Sequence, residues 1–373
     1  MKISYLCANT YYGPEALNYG GWPTPQALAR PEDALRSHRI NFDLARLADE
    51  LGFDWVSTSE HHYSPRLLAP NAFLVSAALS QVLPRAKIAV LGPLVAMNNP
   101  VRIAEELALL DTISGGRCIV LFLRGTPNEF LSYGVNPEET RARTQEATTL
   151  ILRAFTEGRP FGWIGRYYRY RTVSVWPGPV QRPHPPFYYS GNSKESAGFA
   201  AAMRLGLGIS FYPVRFAAEL AQHYRGECAR HGWQPKPEQL VYRCRVAVGE
   251  DAKEAARLRD GLIATNDPRG GLYSGRGGNV EPPPAARPGM GLDEVRFCGD
   301  PDTVVRQIEE FYDATGMGVI DLIFGGFTST LTIDETARSM RLFATEVAPR
   351  IRHLGEPALE RPAARPARVG AAQ

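Results

Sequence analysis

Residues 87–123 have the sequence KIAVLGPLVAMNNPVRIAEELALLDTISGGRCIVLFL, in which two short apolar segments flank a longer helical one. The apolar segments begin at Lys87 and Cys118 and are continuously hydrophobic, which is typical of parallel strands covered on both faces. Residues 101–113 between them predict a helix. The stretch therefore predicts a strand–helix–strand unit.

The same unit recurs along the chain. Eight strand-like segments begin near Ile3, Trp55, Lys87, Cys118, Phe187, Gly208, Leu240 and Val319. Helical segments are predicted at 41–51, 71–82, 101–113, 139–156, 193–205, 216–231, 252–264, 301–315 and 333–351. Repeated strand–helix alternation is the signature of an α/β fold of the (β/α)8 TIM barrel type. We expect a single barrel over residues 1–352.

Two stretches interrupt this alternation. Residues 158–186 are rich in aromatic residues, Arg and Pro, and predict a short hairpin inserted before the fifth strand. Residues 267–292 are rich in Gly and Pro, and predict a mobile loop after the seventh strand, either an active-site lid or a plain insertion. Residues 353–373 predict a disordered tail.

Composition excludes several classes of protein. Of the 373 residues, 44% are apolar, so most of the chain can fold around a core. Forty-two Lys and Arg against 39 Asp and Glu give a net charge of +3, which predicts no nucleic-acid or membrane-surface partner. No long apolar segment or secretory signal is apparent, and the five cysteines form no CxxC pair. We expect a cytoplasmic protein with free thiols.

Functional groups of such barrels lie at the carboxyl ends of the strands. Polar residues concentrate there at 59–63 after the second strand, 124–129 after the fourth and 190–196 after the fifth. In the last segment, Asn192 and Glu195 have the spacing of a capping box. The exposed amides of a helix start, with the hydroxyls of Ser193 and Ser196, could hold a phosphate, although ordinary capping explains the same pattern.

Two arginines favour phosphate binding over ordinary helix capping at this turn. Arg124 ends the neighbouring strand, where a guanidinium can bind phosphate through two hydrogen bonds. Arg141 lies in a first helical turn, where a cation opposes the helix dipole unless it has an anionic partner. Solvation, or pairing with Glu138 or Glu139, is the alternative for Arg141. Together these residues predict a phosphorylated-cofactor site, and no GxGxxG or Walker motif competes for that function.

His61 and His62 follow the second strand, and adjacent positions point in opposite directions, so only one can face the barrel mouth. Either a proton-transfer imidazole or a metal ligand is consistent with this pair. A metal needs three or four ligands, and no second strand end offers a histidine, so we predict no metal. No Ser nucleophile elbow or Schiff-base Lys is present, which indicates that a cofactor carries the reaction.

Four segments resemble the bacterial luciferase-like flavin-dependent monooxygenase family over roughly residues 1–350. They are residues 59–62 (SEHH), residues 99–117 (NPVRIAEELALLDTISGGR), residues 124–134 with Arg124-Gly125, Phe130 and Tyr133-Gly134, and residues 193–196 (SKES). The helix ending in Ser-Gly-Gly-Arg is the most specific of them.

The resemblance implies a barrel that binds reduced FMN delivered by a separate flavin reductase. With O2 as co-substrate at flavin carbon 4a, it would oxygenate a small organic substrate through a flavin hydroperoxide. A homodimer is expected. Arg124, Arg141, Ser193 and Ser196 would hold the FMN phosphate, His61 would be the catalytic imidazole, and Leu91-Gly92 a cis peptide beneath the flavin. The other cofactor-binding residues would be Glu60, His62, Gly125, Gly191 and Asn192.

Leu123 stands where luciferase has a reactive cysteine, so light emission and long-chain aldehydes are not implied. Three alternatives remain: a deazaflavin-dependent oxidoreductase, a non-catalytic flavin-binding relative, and a metal hydrolase built on Glu60, His61 and His62. Abundant Arg, Ala and Pro resemble proteins of high-GC actinobacteria, an association that points to a natural-product intermediate as substrate. Five aromatic residues are candidates either for a dry pocket or for plain core: Phe122, Tyr188, Tyr189, Phe211 and Phe324.

Overall fold

The computed structural model describes residues 1–19, 22–64, 67–263, 294–326 and 329–355. Its centre is a closed barrel of eight parallel strands, as the sequence predicts. In chain order these are β1 (Lys2–Leu6), β2 (Trp55–Thr58), β3 (Lys87–Leu94), β4 (Cys118–Leu123), β7 (Phe187–Ser190), β8 (Gly206–Ser210), β9 (Leu240–Val248) and β11 (Val319–Ile323). The ring closes because β9 pairs with both β8 and β11.

Helices cover the outside of the barrel. They are α1 (Pro14–Leu17), α2 (Pro31–Glu50), α3 (Ala72–Val82), α4 (Pro100–Ile113), α5 (Pro127–Ser132), α6 (Thr140–Thr156), α7 (Lys194–Ala202), α8 (Val214–Arg230), α9 (Ala252–Ile263), α10 (Pro301–Thr315), α11 (Ile333–Leu342) and α12 (Ala348–Ile351). The predicted start of α2 at Asn41 is wrong. Pro31 occupies its first turn, followed by Glu32 and Asp33, which favour a helix N-terminus.

Side chains alternate between the barrel interior and the layer under the helices. Outward residues join the large hydrophobic core, while Trp55, Leu91, Leu121 and Tyr188 belong to a smaller cluster inside the barrel. Above that cluster the interior is polar. Asp321 on β11 is fully buried and accepts hydrogen bonds from Ser4 (2.6 Å), Ser57 (2.7 Å) and Arg243 Nε (2.6 Å).

The predicted insertion before the fifth barrel strand is a hairpin of two antiparallel strands, β5 (Phe161–Ile164) and β6 (Arg169–Val173). Glu146 on α6 fixes its position. Its carboxylate accepts hydrogen bonds from the Trp163 indole (3.2 Å) and from the Tyr167 and Tyr168 amides (3.0 Å each). The hairpin therefore lies against the outside of α6.

One strand is absent from the sequence prediction. β10 (Val295–Gly299) pairs in parallel with the second half of β9, outside the closed ring. The predicted mobile loop at 267–292 lies outside the described residues, as do residues 356–373 of the predicted tail.

Two expectations from composition can be compared with the structure. All five cysteines are free thiols, four of them buried. Among the helices that the structure describes, none is long and apolar enough to span a bilayer.

Candidate active site

The three polar segments singled out in the sequence follow β2, β4 and β7, so they share the carboxyl-end mouth of the barrel. There the chain places His61 after β2, the Leu91-Gly92 peptide near the end of β3, and the turn of residues 190–196 after β7.

His61 is held by a buried carboxylate. Its Nδ1 lies 2.8 Å from Oε1 of Glu129, a side chain with no exposed surface. The other carboxylate oxygen caps α5, accepting hydrogen bonds from the Thr126 amide (2.9 Å) and hydroxyl (2.8 Å). Burial acts to raise the pKa of Glu129, but His61 and the Thr126 hydrogen bonds outweigh it, so the pKa is lowered. Glu129 ends the polar segment 124–129 singled out in the sequence, but no role was predicted for it.

His62 points the other way, as expected of its neighbour in an extended segment. Its Nδ1 lies 2.8 Å from the Tyr133 hydroxyl, and its Nε2 lies 3.4 Å from Glu60 Oε1. The same Glu60 oxygen accepts a hydrogen bond from the Asn98 amide group (3.1 Å). Both ring nitrogens of His62 are therefore engaged by protein groups.

The peptide bond between Leu91 and Gly92 is cis, as the resemblance implies. Its carbonyl oxygen accepts hydrogen bonds from the Ser59 hydroxyl (2.5 Å) and from Arg243 (3.1 Å). A Cβ on Gly92 would lie 1.7 Å from the Leu121 carbonyl oxygen, so only glycine fits. Arg243 was missed in the sequence, where a charged residue within the apolar strand 240–248 is the available signal.

The turn for which the sequence predicts phosphate binding lies at the start of α7. Ser193, not Asn192, is the N-cap, so the predicted Asn192–Glu195 capping box is wrong. The Ser193 hydroxyl accepts from the Ser196 amide (3.2 Å) and lies 3.1 Å from the Ser196 hydroxyl. Asn192 instead accepts a long hydrogen bond (3.4 Å) from the Ser210 amide on β8, and Gly191 pairs with Gly208 (2.9 Å).

Arg141 reaches this turn from α6, where its guanidinium contacts the Glu195 carboxylate rather than Glu138 or Glu139. Arg124 and Arg141 both influence Tyr189, a buried residue of β7. Burial raises the pKa of the Tyr189 phenol, and the charges of Arg124 and Arg141 oppose that rise. Both guanidinium groups therefore lie near one phenol, which itself packs on Phe199 of α7.

Gly125, directly after Arg124, allows the chain to turn sharply. It has φ +106°, and a Cβ there would lie 2.8 Å from Met97 and 2.9 Å from the Phe130 ring. The Arg124 guanidinium lies 5.9 Å from the centroid of the same ring. Phe130, a residue of the family-like segment, thus packs under the turn.

Most of the aromatic candidates are core residues. Phe122, Tyr189 and Phe324 belong to the large hydrophobic core beneath the helices. Tyr188 lies inside the barrel, where its hydroxyl donates to the Glu238 carbonyl (2.9 Å) at the start of β9. Only Phe211 remains at the mouth, with Arg245 stacked 5.6 Å from its ring centroid. Within the described part of the chain, no group of three or more potential metal-ligating side chains occurs.

Comparison with known proteins identifies the family. The family model for luciferase-like monooxygenases matches residues 21–317. The chain belongs to the luciferase-like monooxygenase family. Membership confirms the resemblance drawn from the sequence and supports an oxidoreductase.

Solved structures share the fold over nearly the whole chain. Monooxygenase RslO1 from Streptomyces bottropensis is 26% identical, with 94% of this chain and 99% of that chain covered at a TM-score of 0.75. The oxygenating constituent of 3,6-diketocamphane monooxygenase from Pseudomonas putida, solved with FMN, is 20% identical (94% and 98% covered, TM-score 0.70). An F420-dependent secondary alcohol dehydrogenase is 18% identical (94% and 99% covered, TM-score 0.69).

Among curated sequences, the uncharacterized protein y4wF of Sinorhizobium fredii is 36% identical over 172 residues, which is 44% of this chain. The match spans 48%, about half, of the length of that relative.

Proposed function

We propose that this luciferase-like protein is the oxygenase component of a two-component, FMN-dependent monooxygenase. The observation that carries the proposal is the start of α7, where Ser193 is the N-cap, Arg141 contacts Glu195 in the first turn, and Arg124 follows β4, the strand that pairs with β7. Guanidinium groups, hydroxyls and the amides of a helix N-terminus are donor types that bind a phosphate monoester, and all three occur here. This donor set fits the phosphate of FMN.

The remaining residues at the mouth suit the rest of the cofactor. The cis peptide at Leu91-Gly92 would lie under the flavin ring, and its carbonyl is held by Ser59 and Arg243. Bound there, reduced FMN would supply the two electrons that activate O2. One oxygen atom then enters the organic substrate and the other leaves as water.

His61 is the residue that we assign to proton transfer. Its ring is 11% exposed and is oriented by Glu129, so one nitrogen is fixed and the other is available toward the mouth. His62, bound on both nitrogens, is assigned to positioning Glu60 and Tyr133 rather than to proton transfer. The flavin would be delivered by a separate reductase, since the sequence contains no GxGxxG motif for a nicotinamide dinucleotide.

The test is an anaerobic titration of the purified protein with reduced FMN, oxidised FMN and reduced deazaflavin. We expect micromolar binding of reduced FMN, weaker binding of oxidised FMN, and a nearly colourless protein on purification. Tight, non-dialysable yellow flavin would exclude the two-component arrangement. Binding of deazaflavin in preference to FMN would instead favour hydride transfer without O2, the activity class of the F420-dependent structural neighbour.

Turnover is then measured with O2, a flavin reductase and a panel of aromatic natural-product intermediates, which is the substrate class we propose. Incorporation of label from 18O2 into product supports an oxygenase. Binding of FMN without any oxygenated product across the panel, and without O2 consumption, would favour a non-catalytic flavin-binding protein.

A further inference from the structure

The contact between His61 and Glu129 has a specific chemical consequence. Glu129 Oε1 faces two nitrogen atoms: Nδ1 of His61 at 2.8 Å and the backbone amide of His62 at 3.3 Å. An ionised carboxylate can only accept hydrogen bonds. The hydrogen between Glu129 and His61 must therefore reside on the imidazole Nδ1.

Helix capping alone does not account for this carboxylate. The chain contains a second capping box of the same geometry, in which Glu335 Oε2 accepts from the Thr332 amide (2.8 Å) and hydroxyl (2.9 Å) at the start of α11. There the carboxylate is only partly buried, and its other oxygen meets Arg257. Glu129 is fully buried, an arrangement that is costly unless the second oxygen is also satisfied.

We propose that Glu129 is a positioning residue that fixes the tautomer of His61. It holds the ring hydrogen on Nδ1 and leaves Nε2 as the nitrogen that accepts or returns a proton at the barrel mouth. Its consequence for turnover rests on the proposed function, but the tautomer itself does not.

The other charged and titratable groups nearby do not compete for the His61 nitrogen. Glu60 contacts His62, and the Tyr133 hydroxyl contacts the other nitrogen of His62. Burial raises the pKa of Tyr133, and the charges of Tyr63, Glu60 and Glu129 add to that rise, so this phenol stays neutral. The Arg124 guanidinium lies over the Phe130 ring, 5.9 Å from its centroid. Glu129 is therefore the only carboxylate in the described residues that contacts His61.

The direct test is 15N NMR of the flavin-free protein labelled in its histidine side chains, with His61→Ala used to assign the signals. Ring nitrogens with and without hydrogen differ widely in chemical shift, so the tautomer is read without any cofactor. We expect the Nδ1–H form in the wild type. Observation of the Nε2–H form would overturn the proposal outright, whatever the variants do.

Glu129→Gln tests the cause. The glutamine oxygen can accept the hydrogen bonds of the Thr126 cap, so that its NH2 group faces Nδ1 of His61. Because NH2 is a donor, Nδ1 must then be the acceptor, and the tautomer reverses to Nε2–H. Glu335→Gln is the matched control, since it alters an equivalent capping box and should leave the His61 signals unchanged. Glu129→Asp keeps an acceptor-only group and should retain Nδ1–H. An unchanged His61 tautomer in Glu129→Gln would refute the assignment.

Kinetics then separate positioning from folding. With reduced FMN, O2 and a substrate, Glu129→Gln should lower kcat by about 100-fold, the usual scale for loss of a proton-transfer group. Its KM for reduced FMN should change by less than about threefold, because the phosphate contacts remain. Glu129→Asp should recover part of the lost kcat. Equal kcat in Glu129→Gln and Glu335→Gln would contradict the positioning role of Glu129. Absence of turnover in the wild type would instead refute the oxygenase function and leave the tautomer result intact.

Discussion

At the scale of single residues, Arg141 reaches the start of α7 from α6 and Arg124 follows β4, so their contributions to phosphate binding can be measured separately. Arg124→Ala should weaken binding of reduced FMN by ~1.5–3 kcal/mol, the range for a charge-assisted hydrogen bond. Arg141→Ala should cost the same or slightly less, because Glu195 already occupies part of its guanidinium. Riboflavin, which lacks the phosphate, should bind both variants as it binds the wild type.

Arg143→Ala provides the control. Arg143 lies on the same helix as Arg141 but pairs with Glu139 and stacks on Tyr167 of the hairpin, 4.8 Å from the ring centroid. It should leave FMN binding unchanged. If riboflavin affinity fell by the same factor as FMN affinity in the two site variants, the assignment to phosphate would be wrong.

His61 and His62 differ in what their replacement should do. His61→Ala leaves the turn at the start of α7 intact, so FMN affinity and the fold should be nearly unchanged. Product formation should fall and hydrogen peroxide release should rise, because the imidazole is assigned to proton transfer. His62→Ala should lower stability more than coupling, since it removes the partner of Tyr133 and Glu60. The measurement is the ratio of product formed to O2 consumed in each variant. A ratio in His61→Ala equal to that of the wild type would exclude the proton-transfer role of His61.

The sequence predicted the site residues that occupy strand ends and missed those that support them. His61, Arg124 and Ser193 follow strands directly, so their place at the barrel mouth follows from the fold class. Glu129 and Arg243 act through contacts across the barrel, between residues 68 and 152 positions apart in sequence. A charged residue within an apolar strand marks Arg243 as unusual, but local pattern does not identify its partners, which only three-dimensional structure reveals.

At the scale of elements, the helices and strands were predictable wherever hydrophobic periodicity continued without interruption. The helix Pro301–Thr315 has the predicted bounds because Asp300 caps it and Gly316 ends it in the left-handed conformation. β10 was missed because it is five residues long and follows a Gly- and Pro-rich stretch. The hairpin was expected from composition, but its attachment to α6 through Glu146 was not.

This attachment yields a prediction about one element. Glu146→Ala removes the acceptor of three hydrogen bonds from the hairpin, so the Trp163, Tyr167 and Tyr168 donors can then be satisfied only by water. Local opening of residues 161–173 should become easier by about 1–3 kcal/mol, while the barrel strands keep their protection. Hydrogen exchange followed by mass spectrometry measures both regions. Gln145→Ala, at the preceding position of α6, should leave exchange in the hairpin unchanged. If hairpin exchange in Glu146→Ala equalled that of the wild type, ring packing alone would hold the hairpin.

At the scale of the whole molecule, the closed barrel follows from repetition of one local unit, yet its interior is not uniformly apolar. Asp321 on β11 and Arg243 on β9 are paired across the sheet and also reach Ser4, Ser57 and Ser59. This network joins the strands where the ring closes and extends to the carbonyl of Leu91. It therefore links closure of the barrel to the cis peptide at the site.

Removing one member of this pair should destabilise the entire barrel. Asp321→Ala leaves the Arg243 cation inside the barrel without its carboxylate, and an uncompensated buried charge costs about 3–5 kcal/mol. The free energy of unfolding, measured in urea by fluorescence and circular dichroism together, should fall by that amount. Asp43→Ala, which breaks an exposed pair with Arg46, should have little effect. A cost for Asp321→Ala no larger than that for Asp43→Ala would mean that water reaches Arg243.

The double variant Asp321→Leu with Arg243→Met then separates stability from positioning. Replacing both charges by apolar groups of similar volume is often neutral, because the pair must first be desolvated. We expect the double variant to unfold at a urea concentration close to that of the wild type, while FMN binding weakens because Leu91 has lost one of its two donors. If FMN affinity stayed unchanged while stability fell, the pair would hold the barrel closed and contribute nothing to FMN binding through the Leu91-Gly92 peptide. If FMN affinity and stability both equalled those of the wild type, the hydrogen bond from Ser59 alone would be enough to hold the Leu91 carbonyl.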